Sequence, residues 1–472
     1  MAERGIRCKE LDTGCIILYS RQSQNHVESL SVEICSIMTR LGYGEDIRRL
    51  RVEMFRENDR LVNALQSNLT RITAGSKAEG LTCFLESDMD TLYVLNGFLC
   101  VEAGFNLQTI PDDIDVFRMD TRVHVYPGHC RLLQERLTHR GIDVIQNALC
   151  VNGYGDVLLS SSLFLDEWLT FSRSLAKPRR VQHELAGPSI PSCREGVFET
   201  DMVFSLRCHC PNILKRWAAR PRYWPPPVIV QKVVSLGAYL TPVGFKGSEN
   251  RNIEWRICFN TGETELVNNL NGTQVKVYVM LKMILKNILK PIKKEITSYV
   301  IKNIVLWQAE SNHHSMFQER SFFHWLHDGL RQLRTAIEKQ HLPYYIIPNR
   351  NLMEACGLHK NQQRKWIEDI TNMMAEGPRV ILRLEKIRMA IVASPEPMVW
   401  FSTRRTELEI LFLVRLNRVA QCMDENGKVD ESDCILKAMM RRKIEIAIEL
   451  EQRMSMEGRS GNHMPLFKRI LM

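Results

Sequence analysis

Two short stretches and one distant residue carry the side chains best suited to chemistry. Gly75-Ser76-Lys77-Ala78-Glu79-Gly80 is followed closely by Glu86-Ser87-Asp88-Met89-Asp90, and Asp201 stands far downstream. Ser76 and Glu79 have capping-box spacing, and Gly80 can end a turn. A strand over 70–73 is therefore expected to enter one helical turn, whose unpartnered N–H groups suit phosphate. Asp88 and Asp90 lie in a run with Met89, Leu92, Val94 and Leu95 that reads as a strand. Alternate strand residues share a face, so the two carboxylates converge. Carboxylates that close repel unless a cation lies between them. Mg²⁺ fits, because it takes carboxylate oxygens and substrate phosphates together. In the strand-like run 198–206, Met202, Phe204 and Leu206 make an apolar face and Asp201 lies on the other. Taken singly, these features also describe a capped turn, a solvated strand edge and a surface Asp. Their order along one chain is what carries weight.

Several elements must position these groups. Residues 24–70 read mostly as helix, with Val27, Leu30, Val32, Ile34, Ile37, Met38 and Leu41 on one face. Gly42 and Gly44 interrupt it, and Leu50, Phe55, Leu61, Val62 and Leu65 are core candidates in the second stretch. Residues 71–206 look mixed, with strands expected at 91–95, 114–117, 122–125 and 197–206 and a helix at 166–175. Lys177-Pro178-Arg179-Arg180 and 187–191 read as loops. Trp224-Pro225-Pro226-Pro227 reads as a stiff connector to a more helical region, which dominates from about residue 264. An α+β fold follows: a long N-terminal helix, a mixed sheet carrying the carboxylates, and a helical C-terminal lobe. The expected divisions are a segment 1–23, a core 24–263, a helical lobe 264–385 and a helical extension 386–472.

Composition narrows the setting. The 472 residues are 44% hydrophobic and 25% charged, enough for a large buried core. A formal charge of +9 permits an anionic partner without requiring one. No apolar run could span a bilayer, and the opening Met1-Ala2-Glu3-Arg4-Gly5 lacks a signal-peptide pattern. The fourteen cysteines have no repeating spacing, so thiols in a cytoplasmic protein are expected rather than disulfides. The sequons at Asn68 and Asn271 then read as chance matches. Cys208-His209-Cys210 lacks a second ligand pair for zinc, and the histidines at 313–314, 324 and 327 read as surface or core residues. Asp424-Glu425-Asn426-Gly427 misplaces the glycine of a calcium loop.

A Gly-Ser turn, an Asp-x-Asp strand and a distant strand Asp resemble the nucleotidyltransferase superfamily of the DNA polymerase beta type. The spacing from Ser76 to Asp88 and Asp90 is similar to that of cyclic GMP-AMP synthase and its metazoan relatives. Glu254-Trp255-Arg256-Ile257-Cys258-Phe259 resembles that family's Trp-Arg segment, and Glu263 follows at the matching offset. Lys282 resembles its nucleotide-binding helix lysine, and Ser298-Tyr299-Val300-Ile301-Lys302 the segment whose Tyr stacks on a base. The resemblance spans about residues 24–370. It implies a bilobal nucleotidyltransferase with two Mg²⁺ (or Mn²⁺) ions on Asp88, Asp90 and Asp201. It also implies nucleotide contacts from Gly75, Ser76, Arg256, Glu263, Lys282, Ser298, Tyr299 and Lys302. Synthesis of a cyclic dinucleotide from ATP and GTP, as an innate immune second messenger, would be the activity. Two alternatives stand beside it: a non-catalytic developmental or interaction protein on the same fold, and a different templateless nucleotidyltransferase.

The basic residues point to an activator. Lys282, Lys286 and Lys290 recur every four residues, with Lys293 and Lys294 beyond. Lys215, Arg216, Arg220 and Arg222 alternate with Trp217 and Tyr223, and Arg48, Arg49 and Arg51 form a third cluster. Such rows suit a nucleic-acid backbone. The place where vertebrate relatives carry a zinc-binding DNA clamp, residues 266–273, has no Cys or His. Double-stranded RNA is therefore favoured over DNA as activator, with a homodimer on ligand binding as a further expectation.

Overall fold

The computed structural model describes residues 21–456 apart from 67, 84–85, 123–124, 139–142, 175–179, 183–186, 195–197, 291–294, 355 and 425–427. The chain opens with helices α1 (Arg21–Met38) and α2 (Glu45–Asn63), then β1 (Leu69–Thr73), the single turn α3 (Gly75–Ala78) and β2 (Met89–Glu102). Next come β3 (Asp115–Asp120), β4 (His129–Arg136), α4 (Asp143–Asn147), β5 (Leu149–Val151), β6 (Val157–Leu159) and α5 (Ser161–Ser174). The sheet is completed by β7 (Arg180–Gln182), β8 (Ile190–Arg194), β9 (Phe198–His209), β10 (Ala238–Thr241) and β11 (Glu254–Cys258), with α6 (Pro211–Ala218) and α7 (Pro227–Leu236) inserted before β10. Helices follow: α8 (Asn260–Asn268), α9 (Gly272–Ile284), α10 (Ser298–Ser311), α11 (Phe322–Lys339), α12 (Lys360–Glu376), α13 (Glu385–Ala393), α14 (Met398–Gln421) and α15 (Cys434–Met456).

β2 organises the mixed sheet. Its first half pairs antiparallel with β1 and its second half parallel with β3. Along its other edge it runs parallel to β9, with a register shift between Leu95 and Leu99. Strands β2, β3, β4, β11, β10 and β9 therefore form a closed circuit of pairings. Met202, Phe204 and Leu206 of β9 are buried, as their alternation predicts. α9 is buried nearly all round, with Val275, Val277, Tyr278, Val279, Met280 and Leu281 inside the core. It starts at a capping box in which Asn271 and Gln274 bond each other's backbone N–H groups. The Asn271 sequon is thus a helix cap.

Some expectations change. Ile34, Ile37 and Met38 are buried on α1 but Val32 is exposed. On α2, Phe55 is buried as expected, yet Leu65 beyond its end is exposed while Arg48, Arg51 and Asn58 are inside. The reason for Arg51 and Asn58 is α14, which lies against α2 and supplies Glu409 and the Leu416 carbonyl, while Arg48 bonds Glu45 and the Asn268 carbonyl. Arg122 sits in a bend after β3 rather than in a strand, and residues 123–124 are outside the described ones. Residues 187–191 do not form a loop throughout, because Ile190–Arg194 is a strand bonded to β9. The Trp-Pro stretch joins α6 to α7, and the sheet resumes after it with β10 and β11. Cys208 and Cys210 are buried core thiols, and the described cysteines are free. Residues 1–20, 177–179, 293–294 and 425–427 lie outside the described ones.

Candidate active site

The Gly-Ser turn sits directly against the carboxylate strand. The Ala74 amide donates to the Asp90 carbonyl (2.9 Å), fixing the start of α3 to β2. Gly75 has φ +62°, and a Cβ there would lie 2.1 Å from Asp90 Oδ2. Both facts require glycine. Gly80 (φ +67°) closes the turn, with its amide bonded to the Lys77 carbonyl and that of Leu81 to the Ser76 carbonyl. The expected capping box is absent. The N-cap position is Ala74, and Ser76 lies inside the turn, where its Oγ accepts from Lys282 Nζ (2.6 Å). Glu79 instead forms an ion pair with Lys302 (2.6 Å).

Asp90 and Asp201 are direct partners in the parallel β2–β9 register, so they share a face of the sheet. Asp88 is exposed and stands one residue before β2, not within it. Burial raises the Asp90 carboxyl to about 6, and the nearby Asp201 and Asp88 add to the shift, while Lys302 opposes it. Among the described residues no three His, Cys, Asp or Glu side chains close on one point as a metal cage. A hard divalent cation would suit the site nonetheless: oxygen donors that repel one another, with room left for phosphate and water ligands.

A cleft of about 2450 Å³ is lined by Ser76, Asp88, Asp90, Lys282 and Ser298. Asp201, Arg256, Glu263, Tyr299 and Lys302 are not part of its lining. Four residues form a buried hub instead. Glu263 Oε1 accepts from the hydroxyls of Tyr299 and Tyr344 (2.7 Å each), and Oε2 from Lys302 Nζ (3.1 Å). Burial opposes its ionisation, but Lys302 and the two hydroxyls hold its carboxyl below the usual range. Arg256 is half-buried on β11, opposite His129 and Thr241.

Comparison with known proteins fits this architecture. Residues 182–269 match the Mab-21 protein nucleotidyltransferase domain. Residues 274–372 match the Mab-21 protein HhH/H2TH-like domain. A cyclic GMP-AMP synthase-like receptor from Ctenocephalides felis is 25% identical over 146 residues, 29% of this chain and 32% of that protein. Two domains of the Mab-21 family thus lie side by side in this chain.

It therefore carries the nucleotidyltransferase domain of that family, and such domains generally use divalent metals. The match covers about a third of the relative's length. The two matched domains contain Asp201, Arg256, Glu263, Lys282 and Tyr299, whereas Gly75–Asp90 precedes them and α13–α15 follow them. No helix among the described residues is long and apolar enough to cross a membrane.

The basic rows fare unequally. Arg48 and Arg51 are buried, and exposed Arg49 pairs with Glu45 (2.8 Å). Arg220 stacks on Trp307 and Tyr345 and pairs with Glu310, and Arg222 lies over Trp217. These are structural cations rather than a groove. Lys282, Lys286 and Lys290 line the cleft; α9 continues as a π-helical turn over Leu285–Leu289 that carries Lys286, and Lys290 caps its end. Lys215, Arg216 and Tyr223 are exposed. Tyr344, Glu79 and Lys386 were not singled out as partners of the site. Tyr344 lies in an irregular segment, Glu79 reads as a capping residue rather than a partner of Lys302, and Lys386 resembles an ordinary surface charge.

Proposed function

We propose that this protein is a ligand-activated nucleotidyltransferase that joins ATP and GTP into a cyclic dinucleotide. The supporting observation is the register of Asp90 opposite Asp201, with Gly75 packed on the Asp90 carboxylate and Ser76 and Lys282 facing the same cleft. Asp88, Asp90 and Asp201 would hold Mg²⁺ or Mn²⁺, which would neutralise triphosphate charge and acidify the attacking hydroxyl. Ser76 and Lys282 would bind phosphate oxygens, exchanging their mutual hydrogen bond for substrate contacts. Lys286 and Lys290, exposed in the same cleft, would add charge for a second triphosphate. Positioning and charge neutralisation carry phosphoryl-type transfer, so no side-chain nucleophile is needed. Tyr299 would reach a base only after loosening its bond to Glu263, which makes that hub a positioning device for α10.

The activator we propose is duplex RNA, met by Lys215, Arg216 and Tyr223 on the exposed face of α6 and the segment after it. A-form RNA is read by shape and phosphate, so activation should ignore sequence and fall steeply with salt. The test is incubation of the purified chain with labelled nucleoside triphosphates, Mg²⁺ or Mn²⁺, and duplex RNA, duplex DNA or no nucleic acid. A cyclic product formed only with RNA is expected. Absence of any nucleotidyl transfer under every condition overturns the enzymatic reading and leaves the non-catalytic family role.

A further inference from the structure

Between the Gly-Ser turn and the carboxylate strand, helices from outside both matched domains grip Gly80, Cys83 and Glu86, in a loop of which residues 84–85 lie outside the described ones. Arg51 of α2, 1% exposed, makes a two-pronged ion pair with Glu409 of α14, itself fully buried (2.8 and 2.7 Å). The same guanidinium donates to the Gly80 carbonyl (3.0 Å) and lies 3.4 Å from Cys83 Sγ. Arg405, one turn before Glu409, reaches the same sulfur (3.2 Å) and the Arg40 carbonyl (3.0 Å). It fits because Gly42 has no side chain there: a Cβ would lie 1.8 Å from its Nη1. Further along the loop, Lys386 of α13 donates to Glu86 Oε1 (2.9 Å) and to the Tyr43 hydroxyl (2.8 Å). Tyr43 also donates to Glu86 Oε1 (2.5 Å), and Glu86 Oε2 accepts from the Cys83 amide (3.1 Å).

We infer that α13 and α14 act as a clasp, with Lys386, Arg405 and Glu409 as positioning residues that fix the 80–88 loop and so the spacing of Ser76 from Asp88 and Asp90. None of the three needs to touch the reacting atoms. A helical extension that merely enlarged the core would have no reason to direct Lys386 and Arg405 onto one loop and to pair Glu409 with the arginine that holds it. The catalytic part of this inference rests on the proposed nucleotidyltransferase reading; the structural part does not.

The test pairs hydrogen exchange with kinetics on the full chain. Lys386→Met removes both the Glu86 and the Tyr43 contacts at a partly exposed position, and Lys386→Arg keeps the charge. Lys386→Met should speed amide exchange in peptides covering 80–90 by about tenfold while leaving α11 peptides unchanged. It should raise the nucleotide KM and lower kcat, and Lys386→Arg should restore both readouts. Glu409→Gln should loosen the same peptides more strongly. Unchanged loop exchange in folded Lys386→Met, or an equal increase in the loop and in α11, overturns the clasp. Absence of transfer in the unmodified chain strikes the functional reading alone, because the exchange comparison still decides the clasp.

Discussion

The two sides of the 80–88 loop treat charge in opposite ways. Toward the sheet, Asp90 faces Asp201 with Asp88 nearby, and its carboxyl is pushed up to about 6 by burial and by those like charges. Toward the helices, Arg51 meets Glu409 and Lys386 meets Glu86, opposite charges at hydrogen-bonding distance. Crowded like charges weaken a fold unless something else binds there. Matched buried charges fix geometry, and removing one partner leaves the other desolvated and unanswered. The proposed function would then place chemistry on the strained side and rigidity on the matched side of one short loop.

The largest effect should come from the strained side. Asp88→Asn with Asp90→Asn should reduce nucleotidyl transfer by about three orders of magnitude. The same change should stabilise the protein. Asp90 has a raised carboxyl pKa, so its stability contribution is lost as pH rises from 3.8 through about 6. At neutral pH the asparagine form should therefore gain up to about 3 kcal/mol, read in urea melts without metal. Lower stability in the variant would mean that the carboxylates support the fold.

The matched side should respond inversely. Glu409→Ala should cost about 3–5 kcal/mol, because Arg51 is left buried without its partner. Arg51→Met combined with Glu409→Leu should recover most of that loss in the same urea melts. Loop exchange should stay fast in the double variant, since the Gly80 carbonyl has lost its donor.

Much of the sheet side was legible in the sequence, and little of the helix side. The Gly75-Ser76 turn, the β2 and β9 strands and the alternation of Met202, Phe204 and Leu206 are local patterns, and local patterns are readable. Asp88 was expected inside the strand and lies just before it. Ser76 was expected as a cap, yet its spacing to Glu79 only mimics one, and both side chains answer lysines from distant helices. Arg51 looks like a solvent-facing charge because a buried ion pair leaves no local trace. Its other half, Glu409, is 358 residues away. Tyr344 was invisible for the same reason, being brought to Glu263 only by the packing of α10.

A smaller effect concerns acid. Burial alone would raise the Glu86 carboxyl, but Lys386 and the Tyr43 hydroxyl hold it down at about 2, below its ordinary 4.5. A depressed carboxyl contributes stability that is complete above the unfolded value and lost as pH falls toward the folded one. The clasp should therefore weaken between about pH 4.5 and 2, by about 1–2 kcal/mol after allowing for partial solvent screening. Lys386→Met should flatten that limb of the pH–stability curve. An unchanged curve would mean that the Lys386–Glu86 contact contributes nothing in solution.

The smallest stability effect, and the sharpest separation of the two sides, is expected from Ser76→Ala. The Ser76 hydroxyl caps nothing, since the N-cap position of α3 is Ala74. Its one described partner is the Lys282 ammonium, which retains Tyr278 at 5.5 Å and the surrounding carboxylates after the change. Loss of stability should therefore stay below about 1 kcal/mol. The nucleotide KM should nonetheless rise by about tenfold, because the cleft loses a phosphate donor and Lys282 loses the group that aims it. Ser76→Thr should recover part of the affinity, as the hydroxyl returns with an added methyl. Nucleotide titration by calorimetry beside a thermal melt separates the outcomes. Weaker binding with an unchanged melt assigns Ser76 to the strained, ligand-facing side. A lowered melt with unchanged binding would place it with the structural contacts and remove it from the site.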